Sequence, residues 1–298
     1  MKKFCLAMVI ILGLTGFLAG YVAAGETGHY VHGVEGIKAG SVPPPGLYLK
    51  NYNAFYTADE LTDQNGDNVP VGFKVKVVAP VARIIWVTDY TFLGANFFAD
   101  ASVPFVYTNI QIDAIGIDDD ELALGDINIE PVGLAWHGSS FDAALAFSVY
   151  APTGKTSGDA APGKDFWTQM ITAGGTLYLD REKTWAASIL ARYEFHGEKD
   201  GEEITPGDDF HFEWGISKTL ARVWDVGVTG YCQWQVNDDT GKDAKDTSVH
   251  DRVYAIGPEI SKFFPAMGFG VSLRSQIEFA AKDRPEGSMT TLTLTKIF

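Results

Sequence analysis

Apolar residues occupy every second position along much of the chain. In segment 269–279, apolar side chains alternate with polar or small ones, and residues 289–295 resume the pattern after a polar turn. A period of two is typical of a β-strand that is apolar on one face and wetted on the other. The alternation predicts about twelve strands, at 46–58, 71–88, 92–112, 126–137, 140–151, 166–180, 184–196, 209–219, 223–237, 249–262, 266–281 and 288–298.

The connections between these predicted strands alternate in length. Tight turns are expected at 89–90, 138–139, 181–183, 220–222 and 265–266. The other connections are mostly longer and strongly polar, at 59–68, 118–121, 153–164, 198–209, 237–247 and 282–287. A soluble β-sandwich gives no reason for such sorting, whereas an outer-membrane barrel has short periplasmic turns and long external loops. The sequence therefore predicts an all-β fold, a closed antiparallel transmembrane β-barrel with both termini on the periplasmic side.

Single strands carry the same division between two faces. Along 185–196, aromatic and aliphatic side chains share one parity, while Ser188, Arg192 and Glu194 share the other. Because hydrocarbon offers no hydrogen-bond partners, every strand must be paired and the sheet must close.

Three sites interrupt the regular strand pattern. Pro80 and Pro131 each fall inside a predicted strand and shift the parity around them, which predicts β-bulges. The Gly174-Gly175 pair predicts a bend in the sixth strand.

The chain begins with the features of a secretory signal. Met1-Lys2-Lys3 is a short basic start, residues 4–18 are apolar, and Val22-Ala23-Ala24 offers small residues for cleavage. The apolar run is short for a membrane span of ~20 residues, so the sequence predicts a signal peptide at 1–24 and not an anchoring helix. Its removal leaves Cys232 as the one cysteine, which excludes an intrachain disulfide.

The formal net charge is −15. Such an acidic protein is a poor partner for nucleic acid, whose phosphates require basic patches. The acids crowd into the predicted loops, where divalent ions could bridge them to lipopolysaccharide. Outer-membrane lipid and lipopolysaccharide are therefore the expected partners of the surface.

Candidate chemistry is sparse. Residues 151–156 (APTGKT) lack the first glycine of a phosphate-binding loop, and no helix is predicted after them. His29 and His32 have metal-compatible spacing, but no third ligand lies nearby in sequence. His196 and His211 flank one loop and could approach each other only through folding. No serine has a diagnostic hydrolase setting, so the sequence predicts no catalytic residue, no metal site and no cofactor.

Several charged residues fall on the inward parity of the predicted strands. They are candidates for lining the lumen of the barrel. One interpretation is a network that satisfies buried groups and stiffens the barrel, and the other is a lining that sets selectivity. The candidates are Arg192, Glu194, Glu213, Arg274 and Glu278.

The final strand ends on an aromatic residue, Phe298. This resembles the terminal signal that outer-membrane barrels present to their assembly machinery, and it implies that machinery as a partner. Lys296 departs from the pattern, because the signal usually has an apolar residue at that lipid-facing position.

The order of the chain's motifs resembles the family named for a meta pathway of phenol degradation. The resemblance implies an outer-membrane barrel of a Gram-negative bacterium that passes aromatic or other hydrophobic compounds. It implies no catalytic or ligand residues. The matching motifs are His29-Tyr30, Gly33, Gly36, Gly40, Pro43-Pro44-Pro45-Gly46, Tyr52, Tyr56, Gly125-Asp126-Ile127, Pro131, Leu134, Trp136, Ala151-Pro152-Thr153-Gly154, Gly257-Pro258 and the turn at 284–287.

The segment that precedes the barrel, 25–45, is rich in glycine and then stiffened by three prolines. Eight strands enclose a filled interior and sixteen leave an aqueous channel, so twelve strands predict a narrow or plugged lumen. The segment could tuck into the lumen as a plug, or it could be a disordered periplasmic tail. The predicted division is thus a signal peptide at 1–24, this segment at 25–45 and a barrel at 46–298.

The function predicted from these features is passive uptake of small hydrophobic, chiefly aromatic, compounds across an outer membrane, without covalent chemistry. Three alternatives remain open at this point: a porin for polar solutes, an outer-membrane enzyme that acts on lipids, and a structural or adhesive barrel.

Overall fold

The structure is a computed structural model that describes residues 28–245 and 247–298, so the predicted signal peptide lies outside the described residues. No helix in this part of the chain has the length and apolar character needed to cross a membrane. The described residues form thirteen strands: β1 Gly46–Leu61, β2 Phe73–Phe92, β3 Ala95–Ile112, β4 Ile117–Leu124, β5 Ile127–His137, β6 Phe141–Ala151, β7 Thr168–Tyr178, β8 Trp185–His196, β9 Asp209–Leu220, β10 Trp224–Gln235, β11 Arg252–Phe264, β12 Phe269–Lys282 and β13 Pro285–Ile297.

The strands close into an antiparallel barrel. β1 pairs with both β2 and β13, which joins the first strand of the sheet to the last. β4 and β5 both pair with β3, β4 along Phe105–Ile112 and β5 along Asn96–Ser102. These two strands therefore share one position in the wall, and the barrel has twelve positions. The prediction of a closed barrel of about twelve strands is confirmed.

Apolar side chains cover the outer face of the sheet and charged side chains lie inside, which is the reverse of a soluble protein. Ile189 on β8 and Ile277 on β12 are 49% and 67% exposed on the outer face, while Glu194 and Arg274 on the same strands are 0% and 1% exposed inside. Exposed apolar side chains recur on successive strands around the barrel, so this patch is far larger than a soluble monomer presents. Its physical explanation is contact with lipid.

The acidic stretch at 118–121 was predicted to be a loop, and this prediction is wrong. It forms half of β4, and residues 118–121 pair with residues 108–111 of β3. Gly116, with φ of 71°, reverses the chain so that it returns along β3. Backbone pairing satisfies the amides, and the carboxylates of Asp118 and Asp120 remain exposed.

Two turn positions also differ from the prediction. The turn expected at 89–90 lies at Leu93-Gly94, where both residues have positive φ, as a two-residue hairpin turn requires. The long connection expected at 282–287 is only the pair 283–284, because β13 begins at Pro285. The long-loop rule thus fails at the last connection.

The interruptions of the strands behave differently from one another. Pro131 coincides with a register shift between Ile129 and Val132, so the predicted bulge is confirmed. The bulge predicted at Pro80 is wrong, because Pro80 pairs in register with Asn53 and only local pairing with β3 is lost. Gly174-Gly175 pairs with both neighbouring strands without a register shift.

Candidate functional site

The candidate site is a cavity of about 390 Å³ inside the barrel. One side of it, here called the apolar wall, is formed by side chains of β13, β1, β2 and β3. Tyrosine rings, small aliphatic groups and a thioether line this wall because these strands place apolar residues on the inner parity as well as the outer one. The apolar wall comprises Tyr52, Ala54, Tyr56, Val77, Ala79, Val81, Pro104, Val106 and Met289.

The opposite side of the barrel interior, here called the charged wall, is formed by inward side chains of β8 to β12, of which Arg192 and Glu278 also line the cavity. All five lumen candidates from the sequence lie there, and each is 5% exposed or less. Arg192 pairs with Glu213 at 3.1 Å, and Arg274 pairs with Glu259 at 2.7 Å. The Tyr231 hydroxyl donates to Glu278 Oε1 at 2.7 Å. The charged wall comprises Arg192, Glu194, His211, Glu213, Glu259, Arg274, Gln276 and Glu278.

The N-terminal segment, residues 28–45, contacts the charged wall. Glu213 accepts hydrogen bonds from the Tyr30 hydroxyl and from the backbone N–H of Glu35. The Arg192 guanidinium lies 3.9 Å from the centre of the Tyr30 ring. Arg274 donates to the carbonyl oxygen of Val34 at 2.7 Å. Four of the predicted lumen residues, with Glu194 included, therefore hold backbone or ring groups of this segment.

Glu35 joins the N-terminal segment to the other side of the lumen. Its carboxylate accepts hydrogen bonds from Arg83 at 2.7 Å and from Lys50 and Tyr52. Burial would raise the pKa of Glu35, but the positive charges of Lys50 and Arg83 outweigh it and hold that pKa well below its ordinary value. Since the Glu35 N–H bonds to Glu213, this residue spans the distance between the two walls.

Sequence reasoning missed Arg83, although a signal was present. Arg83 also pairs with Asp100 at 2.6 Å and with Glu130 at 3.4 Å, which makes it the centre of a second buried ion network. It lies between Ala82 and the outward-facing Ile84. A lone arginine at the inner parity of an apolar strand could have identified it.

The N-terminal segment approaches the barrel wall closely at Gly40, and this contact explains why glycine is needed there. A Cβ atom on Gly40 would lie 2.4 Å from backbone atoms of Gly175. Glycine at both positions lets two backbones come together where β7 passes the segment.

A group of histidines and carboxylates lies at one end of the N-terminal segment. His29, Glu194 and His196 place one ligand atom each within 4.8 Å of one another, and among the described residues they form the one group with this property. Burial lowers the pKa of the His29 ring, and its bond to Asp126 partly opposes this shift. The sequence predicted no metal site because these candidate ligands are far apart along the chain, but folding brings their side chains close together.

The segment 151–156 does not form a phosphate loop. β6 ends at Ala151, and the Lys155 ammonium pairs with Glu121 of β4. Its lysine is therefore engaged by a neighbouring acid, as expected of a turn that leads into a loop.

These features define a closed transmembrane β-barrel of the outer-membrane type, with a partly apolar cavity beside a charged wall. A family model described as "Putative MetA-pathway of phenol degradation" matches residues 58–294, and the chain belongs to this family. The resemblance found in the sequence is thereby confirmed. No curated protein matches the chain.

Solved structures with the same fold are distant in sequence. An outer membrane channel from Pseudomonas putida F1 has a TM-score of 0.77 at 15% identity, covering 87% of this chain and 97% of that one. The translocator domain of the autotransporter NalP from Neisseria meningitidis has a TM-score of 0.50 at 11% identity, covering 86% and 90%. At these identities the likeness establishes the fold alone.

Proposed function

We propose that this barrel lies in the outer membrane of a Gram-negative bacterium and passes small hydrophobic, chiefly aromatic, compounds by diffusion. The cavity beside the apolar wall is the observation that carries this proposal. Its volume of about 390 Å³ lies in the range of small-molecule sites. Family membership and the fold shared with the Pseudomonas putida channel also support a role in passage.

The lining favours neutral cargo over ions. Of the cationic side chains at the cavity, Arg83 pairs with Glu35 and Asp100, and Arg192 pairs with Glu213. A passing ion would have to compete with these partners in a medium of low dielectric constant. An aromatic ring needs no such exchange, because it contacts the small aliphatic groups and tyrosine rings of the apolar wall.

The tyrosine hydroxyls are also already engaged. Tyr52 donates to Glu35 at 2.7 Å, and Tyr56 donates to Glu278 at 2.7 Å. Their polar ends are therefore turned to protein partners, which leaves ring surface for the cargo. This arrangement supports a conduit for weakly polar molecules and disfavours a site for polar solutes such as sugars.

The N-terminal segment acts as a plug in this proposal. Four of the five charged candidates (Arg192, Glu194, Glu213 and Arg274) hold it in place instead of selecting ions. Two sets of contacts support this role. Tyr30 and the Glu35 N–H donate to Glu213, and the Glu35 carboxylate accepts from Arg83. Movement of the segment would then change the width of the path. Binding and diffusion through this constriction require no covalent chemistry and no cofactor.

Phe298 is proposed as the contact for barrel assembly. The residue is 71% exposed, while its backbone N–H donates to the carbonyl oxygen of Leu47 at 3.0 Å. The aromatic group is thus displayed at the β1–β13 seam. Lipid and lipopolysaccharide are the proposed partners of the outer face.

Two measurements together test the proposed function. Purified barrel is inserted into planar bilayers for ion conductance, and cells that lack their own copy are assayed for initial uptake of radiolabelled phenol and toluene. We expect low, intermittent conductance, and faster aromatic uptake when the protein is supplied. Large steady conductance without an effect on aromatic uptake would contradict the proposal and favour a porin for polar solutes.

A further inference from the structure

Three imidazoles and three carboxylates meet where the N-terminal segment reaches the barrel wall. His29 comes from that segment, and Glu194 and His196 come from the end of β8. The side chains of His29 and His196 are 2% and 0% exposed. The group is completed by Asp126, Thr168, Asp209 and His211.

Two carboxylates fix the protonation of the histidine rings. His29 Nε2 lies 3.1 Å from Asp126 Oδ2, and His196 Nε2 lies 3.2 Å from Asp209 Oδ2. An ionised carboxylate can only accept, so each Nε2 carries the hydrogen and donates it. Each Nδ1 then presents a lone pair when its ring is neutral. Carboxylates placed behind histidines in this way are typical of metal sites, where they orient the ring and strengthen it as a ligand.

The two lone pairs point at the same atom. His29 Nδ1 and His196 Nδ1 each lie 2.7 Å from the hydroxyl oxygen of Thr168. A hydroxyl has a single hydrogen, so it can satisfy only one of the two rings. The other Nδ1 needs a proton or a metal ion, and a buried polar group left without a partner costs free energy. This shared hydroxyl is independent of the carboxylate pattern and indicates the same centre.

Glu194 supplies a third donor and negative charge. Its Oε1 accepts from His211 Nε2 at 3.0 Å, and its Oε2 accepts from the backbone N–H of His29 at 2.9 Å. These contacts hold the carboxylate against the two rings. Together with Asp126 and Asp209, it makes the surroundings favourable for a divalent cation.

We propose that His29, Glu194 and His196 bind a divalent metal ion of the zinc class and thereby fasten the N-terminal segment to the barrel wall. Two imidazoles and one carboxylate form a donor set that zinc accepts, with the Thr168 hydroxyl or a water as the fourth ligand. Zinc bonds of about 2.0–2.1 Å require the donor atoms to lie closer together than the 4.8 Å within which they now fall. Rotation of the two rings and of Thr168 can supply this movement. The proposal does not depend on what the barrel transports.

The test uses the mature barrel, folded in detergent and freed of metal by a chelator. Zinc is titrated by calorimetry, and cobalt is added as a spectroscopic probe of the coordination. We expect one zinc ion per barrel and visible cobalt bands of a low-coordinate nitrogen and oxygen site. His29→Ala and His196→Ala should each weaken zinc binding at least about 100-fold, and Asp126→Asn about 10- to 100-fold.

His250→Ala is the matched control. His250 pairs with Asp238 on an exposed loop and lies outside the group, so its loss should leave the titration unchanged. Because His29 lies outside the strands, its replacement should leave a heat-modifiable barrel. Zinc should also slow hydrogen exchange in residues 28–36 of the parent protein but not of the His29→Ala variant.

Three results would overturn the proposal. The first is no stoichiometric zinc binding at micromolar concentration. The second is equal binding by the parent and both histidine variants, which would indicate only adventitious metal on the acidic loops. The third is nitrogen NMR that identifies one of the two rings as an imidazolium in the presence of zinc, since a proton would then supply the cation that the lone pairs require.

Discussion

The two walls of the lumen differ in how their side chains fill the interior of the barrel. The charged wall fills its side with ion pairs such as Arg192–Glu213 and Arg274–Glu259, which also hold the N-terminal segment. The apolar wall presents Ala54, Val77 and Ala79, which are too small to reach across and leave the cavity beside them. Directional contacts therefore fix one half of the lumen, and non-directional contacts leave room for a guest in the other.

The difference implies unequal sensitivity to substitution. A buried charge without its partner is strongly unfavourable, whereas apolar groups of similar volume replace one another at small cost. The following predictions test this contrast, and all refer to equilibrium unfolding of the folded barrel in detergent or lipid unless stated otherwise.

The largest effect is expected for Glu213→Ala. This change leaves the Arg192 guanidinium, the Tyr30 hydroxyl and the Glu35 N–H without their shared partner. We expect the free energy of unfolding to fall by about 3–5 kcal/mol. Ser217→Ala, at the inner parity of the same strand, is the control and should cost at most about 1.5 kcal/mol. Equal losses for the two variants would remove the distinction between charged and neutral inward groups.

The pair Arg274–Glu259 allows a double-mutant cycle. Arg274→Met and Glu259→Met each leave one buried charge without its partner, and each should lower the free energy of unfolding by about 3–5 kcal/mol. The double variant removes both charges, so its cost should be well below the sum of the two. Additive losses would show that these residues act independently and that pairing does not explain the charged wall.

A smaller effect is expected where the N-terminal segment crosses β7. Gly40→Ala brings a Cβ within 2.4 Å of the Gly175 backbone and forces the N-terminal segment and β7 apart. The expected loss is about 1–3 kcal/mol, as in other overpacked sites, with faster hydrogen exchange in residues 28–41. Gly270→Ala, whose nearest neighbour would be 3.7 Å away, should show neither change. Unaltered exchange in Gly40→Ala would mean that the segment is not held there.

The smallest effect is expected on the apolar wall. Met289→Leu conserves volume among Ala54, Ala79 and Tyr231. We expect a change below about 1.5 kcal/mol. A loss as large as that of Glu213→Ala would show that the apolar wall also depends on specific fit.

Much of the fold could be predicted because alternation is a local property of each strand. The segments 269–279 and 185–196 carry their apolar and polar faces in the sequence itself, and the structure places them accordingly. The acidic strand β4 escaped prediction because four consecutive acids resemble a solvated loop. The Leu93-Gly94 turn escaped because the two-residue turn lacks the usual asparagine or aspartate at its first position.

The site was less accessible to sequence reasoning because its contacts are distant along the chain. The inward parity of Arg192 and Glu213 was visible, but their attachment to Tyr30 spans more than half of the sequence. The contact between His29 and Thr168 likewise depends on closure of the barrel. Strand periodicity shows which face a side chain occupies, but it does not identify the partner across the lumen.

The central claim is that the cavity beside the apolar wall is the path of small aromatic compounds. Its most direct test is initial uptake of radiolabelled phenol and toluene by cells that express Ala79→Trp, compared with Ala187→Trp at equal amounts of folded barrel. Ala79 lines the cavity, whereas Ala187 on β8 pairs with Leu177 and Ile216 on the outer face. The account predicts that Ala79→Trp abolishes most of the uptake that the barrel confers and that Ala187→Trp retains it. Equal uptake by both variants would contradict the account.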